Sequence, residues 1–380
     1  MLTLPNARKP LMPMLFDLAD DLGPFKIVHI WRPAVGLKAI VVIDNVACGP
    51  SIGGTRMASD VSLEECARLA RAMTLKNAAA GLPHGGGKSV IFADPAMPVD
   101  RKETIMRAFA GAIADLRDYI PGPDMGTNET AMAWVHDEIG RAVGLPREIG
   151  GIPLDAIGAT GYGLMAAAEA AAEFSGVKLQ GARVAVQGFG AVGQHAAHFL
   201  AEKGSVLVAA ADSRATVVNP DGIDVAALIG HKKRTGKVEG HAGTRTLKAD
   251  AVVGVECDIW IPAARPDVLR KDNIGELKAR LVLQGANIPA TAEAEKFLHD
   301  KGIISVPDFI ANAGGVICAS VEYHGGSETM ALAQIREKIT LNTSEVLGEA
   351  KNRACLPREA ADRIARRRVE RAMSNRRWRS

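Results

Sequence analysis

Three ionisable residues in the first third of the chain have surroundings that suit chemistry. Lys88 closes the run Gly85-Gly86-Gly87-Lys88, and Lys76 lies twelve residues earlier in an otherwise uncharged stretch from Met73 to Ala80. Asp124 stands between Pro123 and Met125 in a segment rich in glycine and proline. A lysine in a partly desolvated pocket loses part of its preference for the charged form, and a neighbouring cation pushes the same way. Its amine can then exchange protons near neutral pH. Lys88 fits that role, with Lys76 either as the neighbouring cation or as the partner of a substrate carboxylate, and Asp124 as a proton carrier. The glycine run also invites comparison with a phosphate loop, which needs G-x-x-x-x-G-K-[ST] between a strand and a helix. Leu82 stands where the first glycine belongs and a strand follows Ser89, so that reading fails. By spacing alone each of the three fits a structural role better than a catalytic one. Together they mark a site but name no reaction.

A second constellation lies near the middle. The apolar run Arg183–Gln187 leads directly into Gly188-Phe189-Gly190-Ala191-Val192-Gly193, and a helical pattern follows to Leu200. In a strand–turn–helix context, G-x-G-x-x-G lets the backbone turn, approach a pyrophosphate and pack the helix closely. The helix N-terminus offers unpaired N–H groups to the phosphates. Asp212 ends the next apolar run nineteen residues beyond Gly193, with Ser213 beside it. An acid there can accept from a ribose 2′-hydroxyl and repel a 2′-phosphate, which points to NAD. Arg214 leaves NADP open.

These residues need elements to hold them. Strands are predicted at Phe25–Trp31 and Leu37–Asp44, then a glycine turn at Gly53-Gly54. A helix follows from Ser62, its cap, to Ala80, with Glu65 at the capping-box position. Gly85 to Lys88 reads as a tight turn before a short strand, Ser89–Phe92. A helix fits Lys102–Leu116, and Pro121 to Asn128 reads as a loop. After Gly150, an alanine-rich helix (Thr160–Phe174) precedes short apolar strands at Arg183–Gln187, Val206–Ala211, Asp258–Ile261, Arg280–Gln284 and Ile303–Val306. That alternation predicts a parallel sheet covered on both faces. From about Ser327 the chain is helical again.

The bulk numbers set limits. The chain has 380 residues, 47% hydrophobic and 23% charged, enough for two globular domains. A net charge of +3 is too small to argue for a nucleic-acid partner. The basic tail (Arg366, Arg367, Arg368, Arg371, Arg376, Arg377, Arg379) reads as a solvated face or a subunit contact rather than a polyanion site. Cys48, Cys66, Cys257, Cys318 and Cys355 show neither CxxC nor metal-ligand spacing, so no metal is expected and reduced thiols in the cytoplasm are. The N-terminus, broken by Pro5, Pro10 and Pro13, resembles neither a signal nor a transit peptide. No apolar run reaches membrane-spanning length.

The sequence resembles the glutamate/leucine/phenylalanine/valine dehydrogenases over most of its length. The resemblance rests on ordered stretches: GLKAIVVIDNVACGPSIGGTRM (36–57), MTLKNAAAGLPHGGGKSVI ending at Ile91, GPDMGTNE ending at Glu129, ATGYG ending at Gly163, VQGFGAVG ending at Gly193, QGAN ending at Asn287 and PDFIANAGGV ending at Val316. It implies an α/β protein with an N-terminal α/β substrate domain and a C-terminal Rossmann dinucleotide-binding domain, separated by a cleft. The expected division is 1–150 and 151–330, with the helices from about 330 to 380 returning to the substrate domain. The resemblance casts Lys88 as catalytic and Asp124 as its acid/base partner. It places Lys76 on the substrate carboxylate near Gly53 and Gly54, with Asn312 bordering substrate or cofactor. Thr160, Ala263 and Asn287 would line the nicotinamide. The implied reaction is hydride transfer from Cα to NAD, addition of water activated by Lys88, and loss of ammonia with a proton relayed by Asp124.

Which amino acid is oxidised turns on two positions. By the same resemblance, glutamate enzymes carry a lysine just before the glycine pair and a serine after NAGG, where this chain has Ile52 and Ala319. Neither binds an anion, and burying an unpaired carboxylate there costs several kcal/mol. Ile52, Val316 and Ala319 therefore predict an apolar substrate, leucine- or phenylalanine-like, with a homo-oligomer as the family habit. The stretches PDMGTNETAMAW and QGANIPAT lean instead toward the glutamate branch. A glutamate dehydrogenase with a relocated carboxylate site is the alternative, and a non-catalytic NAD-binding subunit is a third reading. Lys76, Lys88 and Asp124 together count against the third.

Overall fold

The computed structural model describes residues 16–376. Pro5, Pro10 and Pro13, and Arg377 and Arg379 of the basic tail, lie outside the described residues.

The first sheet is built from β1 (Lys26–Arg32), β2 (Leu37–Asn45), β3 (Ser51–Ala58), β4 (Gly85–Phe92) and β5 (Tyr119–Pro123), in the order β1-β2-β4-β3-β5. β1, β2 and β4 pair antiparallel, whereas β3 runs parallel to both β4 and β5. Three helices accompany it: α1 (Leu63–Ala79), α2 (Val99–Ala112) and α3 (Glu129–Ile139). One face carries Val41, Ile43, Met57, Ile91 and Tyr119 under Met106 and Phe109 of α2 and Met132 of α3. On the other face Val42 and Val90 meet Cys66 and Ala70 of α1. Because side chains alternate along a strand, Lys88 shares that second face with Val90. Ser62 caps α1 by accepting from Glu65 N, but Glu65 turns to Arg56 rather than completing the capping box.

The glycine runs differ from expectation. Gly53 and Gly54 lie inside β3, and Gly85 to Gly87 open β4; neither run is a turn. The reason is crowding between backbones: a Cβ on Gly53 would stand 1.7 Å from Gly87 O, and one on Gly54 2.8 Å from Asp124 Cβ. The segment expected as a loop from Pro121 starts as strand β5, whose prolines are tolerated because β5 is an edge strand.

Past Gly150 come α4 (Ala159–Ser175), β6 (Arg183–Gln187), α5 (Ala191–Glu202), β7 (Val206–Ala211), β8 (Ala215–Val218), α6 (Val225–Thr235) and β9 (Arg245–Lys248). Then follow β10 (Ile259–Pro262), β11 (Leu281–Leu283), α7 (Ala292–Asp300), β12 (Ile304–Val306), α8 (Asp308–Ala311), α9 (Gly314–Tyr323), α10 (Glu328–Arg353) and α11 (Pro357–Ser374). The second sheet has the order β12-β11-β10-β6-β7-β8-β9. Its five strands from β12 to β7 are parallel, as predicted, but β8 and β9 add an antiparallel edge that the alternation did not reveal. Both strands are only four residues long, and β9 is largely exposed and polar, so it lacks an apolar run.

The C-terminal helices bridge the two halves. α10 packs against α4, and α11 packs against α1. Arg368 of α11 donates to Ala78 O and Ala79 O at the end of α1, and to Asn342 and Glu345 of α10. A cation at a helix C-terminus also meets the negative end of its dipole. Arg367 pairs with Glu349. These two arginines of the basic tail are thus engaged within the chain. Among the described residues no helix is long and apolar enough to cross a membrane.

Candidate active site

The open part of the Lys88 face lies over β3, β4 and β5, and register arranges it in rows. Ile52 pairs with Gly86 on one side and Ile120 on the other; two residues further, Gly54 pairs with Gly122. Lys88 and Asp124 stand at the far end of that face. Lys88 is buried, and its ammonium contacts Asp124 Oδ2 directly. A Cβ on Gly54 would come within 3.1 Å of Lys88 Nζ, so this glycine keeps the approach to the pair clear.

Arg56, not singled out in the sequence, holds the pair from the side. Its Nε lies 3.3 Å from Asp124 Oδ2, and its Nη1 lies 2.5 Å from Glu65 Oε1. Burial alone would raise the Asp124 carboxyl, but Lys88 and Arg56, with the Met125 N–H, outweigh it and hold the group below its ordinary range. Below the sheet, Tyr119 donates to Gly53 O at 3.0 Å and meets Ser89 Oγ, which bonds Thr55. This buried network fixes the β3–β4 backbone under the site.

Lys76 approaches from α1. Its Nζ donates to Asn312 Oδ1 at 2.6 Å, and Asn312 Nδ2 donates to Asn287 Oδ1 at 3.0 Å. The chain Lys76–Asn312–Asn287 crosses from one sheet's layer to the other's and unites three residues predicted separately. Burial pushes the Lys76 ammonium down to about 8; Asp308 opposes this and Lys88 adds to it.

The apolar positions also converge. Ile52 and Ala319 belong to one buried cluster with Ile120 of β5 and Val143. Val316, one turn earlier on α9, is partly buried against the larger core. Ile120 escaped the sequence reading because strand register brings it beside Ile52, and Val143 because it arrives from the segment after α3, its N–H donating to Pro121 O.

At the other sheet, Gly188 turns the chain at φ +94°, where a Cβ would collide with Ala264, and a Cβ on Gly193 would stand 2.1 Å from Gly188 O. Gly190 caps α5 and faces open space, leaving room for an anion over Ala191 and Val192. Phe189 does not share that role: its side chain is buried in the core and its N–H donates to Ala211 O. A cleft of about 510 Å³ beside this turn is lined by Gln187, Gly188, Asp212, Ser213, Ala264 and Arg265, among others. Gln187 Oε1 is buried there without a partner, a donor-seeking atom that a bound ligand can satisfy. Ala263 donates to Gln187 O at the cleft's edge, and Thr160 Oγ1 lies near Gly315 at the start of α4.

Asp212 is less free than its position promised. Oδ1 accepts from Arg214 N and Ala215 N, Oδ2 accepts from Val238 N, and Lys232 Nζ lies 3.8 Å away. Burial opposes ionisation, but these partners hold the carboxyl below its ordinary range, so it stays charged at neutral pH. Arg214 is exposed beside it. Among the described residues no group of His, Cys, Asp and Glu could hold a metal ion.

A family model for Glutamate/Leucine/Phenylalanine/Valine dehydrogenase matches residues 150–377, and one for the Glu/Leu/Phe/Val dehydrogenase dimerisation domain matches residues 27–141. A glutamate dehydrogenase of Aeropyrum pernix is 37% identical over 357 residues, covering 88% of this chain and 85% of the relative. An NADP(+)-dependent glutamate dehydrogenase of Pyrobaculum calidifontis is 36% identical over 395 residues, covering 97% and 91%. The crystal structure of L-tryptophan dehydrogenase from Nostoc punctiforme matches with a TM-score of 0.76 at 26% identity, covering 95% of this chain and all of that one.

Proposed function

On the premise that the chain belongs to the glutamate/leucine/phenylalanine/valine dehydrogenase family and is an amino-acid dehydrogenase, we propose that it oxidatively deaminates an apolar L-amino acid, leucine- or phenylalanine-like, with NAD. The observation that carries this reading is the buried cluster of Ile52, Ile120, Val143 and Ala319, lying in the row next to Lys88 and Asp124 on one sheet face. None of those four side chains offers a carboxylate a cation.

In this reading Lys76 binds the substrate carboxylate, with the Gly53-Gly54 backbone close by and Asn312 steering the ammonium. Gly188, Gly190, Ala191, Val192 and Gly193 hold the cofactor's pyrophosphate, and Asp212 and Ser213 its adenosine ribose. Thr160, Ala263 and Asn287 border the nicotinamide, which when bound accepts the Cα hydride and leaves the substrate as an imine. Lys88 takes a proton from water as it adds to the imine carbon and, as a cation, stabilises the developing oxygen charge. Asp124 receives that proton from Lys88 and passes it to the amine of the carbinolamine; Lys88, neutral again, takes the hydroxyl proton as the C–N bond breaks, which gives the 2-oxo acid and ammonia. The stoichiometry is one amino acid, one NAD and one water to one 2-oxo acid, one ammonium, one NADH and one proton. We assign the substrate half to residues 1–150, with the helices from about 330 to 380 returning to it, and the cofactor half to 151–330. The enzyme we envisage is a cytoplasmic homo-oligomer.

Two features favour other choices. Both curated relatives are named glutamate dehydrogenases, and one is NADP(+)-dependent, so glutamate and NADP are the readings to exclude. The tryptophan dehydrogenase neighbour supports an apolar choice on this fold. Initial rates across the twenty L-amino acids with each cofactor decide: reduction of NAD with leucine, methionine or phenylalanine supports the proposal. Turnover of glutamate with neglect of all three overturns it.

A further inference from the structure

His84 is a buried group that the reaction above does not use. It directly precedes β4, and its ring packs against Tyr323 and His324 at the end of α9, the helix that carries Ala319. Gly86 pairs with Ile52, which pairs in turn with Ile120, and His84 stands beside Pro50, two residues before Ile52. The imidazole thus lies beyond the apolar row. Across from it are Tyr323 and His324, whose ring centroids stand 5.7 Å and 5.2 Å away. Tyr323 is one helical turn past Ala319 on α9.

The protonation of this ring follows from its partner. Nδ1 lies 3.1 Å from Pro50 O, and a carbonyl can only accept, so Nδ1 carries the hydrogen. Nε2 is then a bare lone pair, and it is buried without a partner on a residue only 1% exposed. Burial pushes the ring down to about 4, so it does not answer this demand by taking up a proton near neutral pH. A buried acceptor left unmet is costly. An aliphatic side chain ending at the Ile52 row leaves it unmet. A flat ring with an N–H or O–H at its far edge does not.

We propose that His84 determines specificity at the far end of the side-chain pocket, and that the favoured substrates are aromatic L-amino acids with a hydrogen-bond donor on the ring, a phenol or an indole. This rests on the apolar-substrate reading and narrows it. Within one preparation, kcat/KM is compared for tyrosine, tryptophan, phenylalanine, leucine and glutamate, in the native enzyme, His84→Phe and His84→Gln. A ratio between two substrates cancels any loss of folded protein.

The native enzyme is expected to favour tyrosine or tryptophan over phenylalanine by about tenfold or more, the usual consequence of leaving a buried polar group unpaired. The two donor-bearing arms tell phenol from indole. His84→Phe should remove the preference, and His84→Gln, which restores an acceptor, should recover part of it. A native enzyme indifferent to the ring donor, or a preference unchanged in His84→Phe, overturns the role of His84 while leaving the apolar reading intact. Turnover of glutamate alone removes the apolar reading itself, and the two failures are therefore distinct. Should His84→Phe not fold, the native ratio and His84→Gln still decide.

Discussion

Two neighbouring rows of one sheet face have opposite character. The row of Lys88 and Gly54, where the ammonium meets Asp124 just past the end of β5, is ionic and buttressed by Arg56 and Glu65. The next row, Ile52 and Ile120 under Ala319 and Val143, contains no charge and is nearly sealed. They are separated by one alternation of the strand, roughly 7 Å. On the proposed reading, the first row performs the chemistry and the second chooses the substrate. Changes in the first should then affect all substrates alike, and changes in the second should alter ratios between them.

The largest effect is expected at Lys88. Lys88→Ala should lower kcat by about a thousandfold or more for every amino acid, a loss near 4 kcal/mol, because a buried charge at the reacting centre is removed. Cofactor affinity, measured by fluorescence titration, should stay near native because Lys88 belongs to the other sheet. Asp124→Asn should follow the same pattern. A variant that loses one substrate selectively would merge the two rows and break the comparison.

A smaller effect, set by pH, should appear at Lys76. Its ammonium lies lowered to about 8, so it is charged below that pH and loses its charge above it. Affinity for a 2-oxo acid, which has no amine of its own to titrate, should be full near pH 7. It should weaken above pH 8 by up to about tenfold per unit. Lys76→Arg should carry the decline to higher pH, since a guanidinium stays charged. Affinity that does not change between pH 7 and 10 would remove Lys76 from carboxylate binding.

The smallest effect is expected at Asp212, on the other sheet. Asp212→Ala should narrow the NAD-over-NADP preference several-fold, about 1 kcal/mol, by weakening NAD and relieving repulsion of a 2′-phosphate. It should leave the ratios among amino acids unchanged. A native preference for NADP would shift attention to Arg214.

The parts of this site legible in the sequence were those encoded locally. The strand–turn–helix at Gly188, the capped helix bearing Lys76 and the alanine-rich α4 each follow from patterns within a few residues. Long-range register was not legible. Gly53, Gly54 and Gly85 to Gly87 look like turns because glycine usually marks them, yet here it relieves contact between adjacent backbones. Arg56 reaches Asp124 across 68 residues of chain, and Val143 reaches Ile52 only through the fold; no spacing rule announces either. Asp212 was placed correctly at the end of its strand, but its backbone partners come from the turn that follows and from Val238.

The central claim is that the Ile52–Ala319 row chooses the substrate while the Lys88–Asp124 row performs the chemistry. The most direct test is the ratio of kcat/KM for leucine to that for glutamate, measured in the native enzyme and in the double variant Ile52→Lys with Ala319→Ser. The native ratio should strongly favour leucine, since a buried carboxylate without a cation costs several kcal/mol. The double variant should shift the ratio toward glutamate by about a hundredfold or more, through a new cation and hydroxyl for the side-chain carboxylate. A ratio that the double substitution leaves unchanged, in an enzyme that still turns over, would contradict the account.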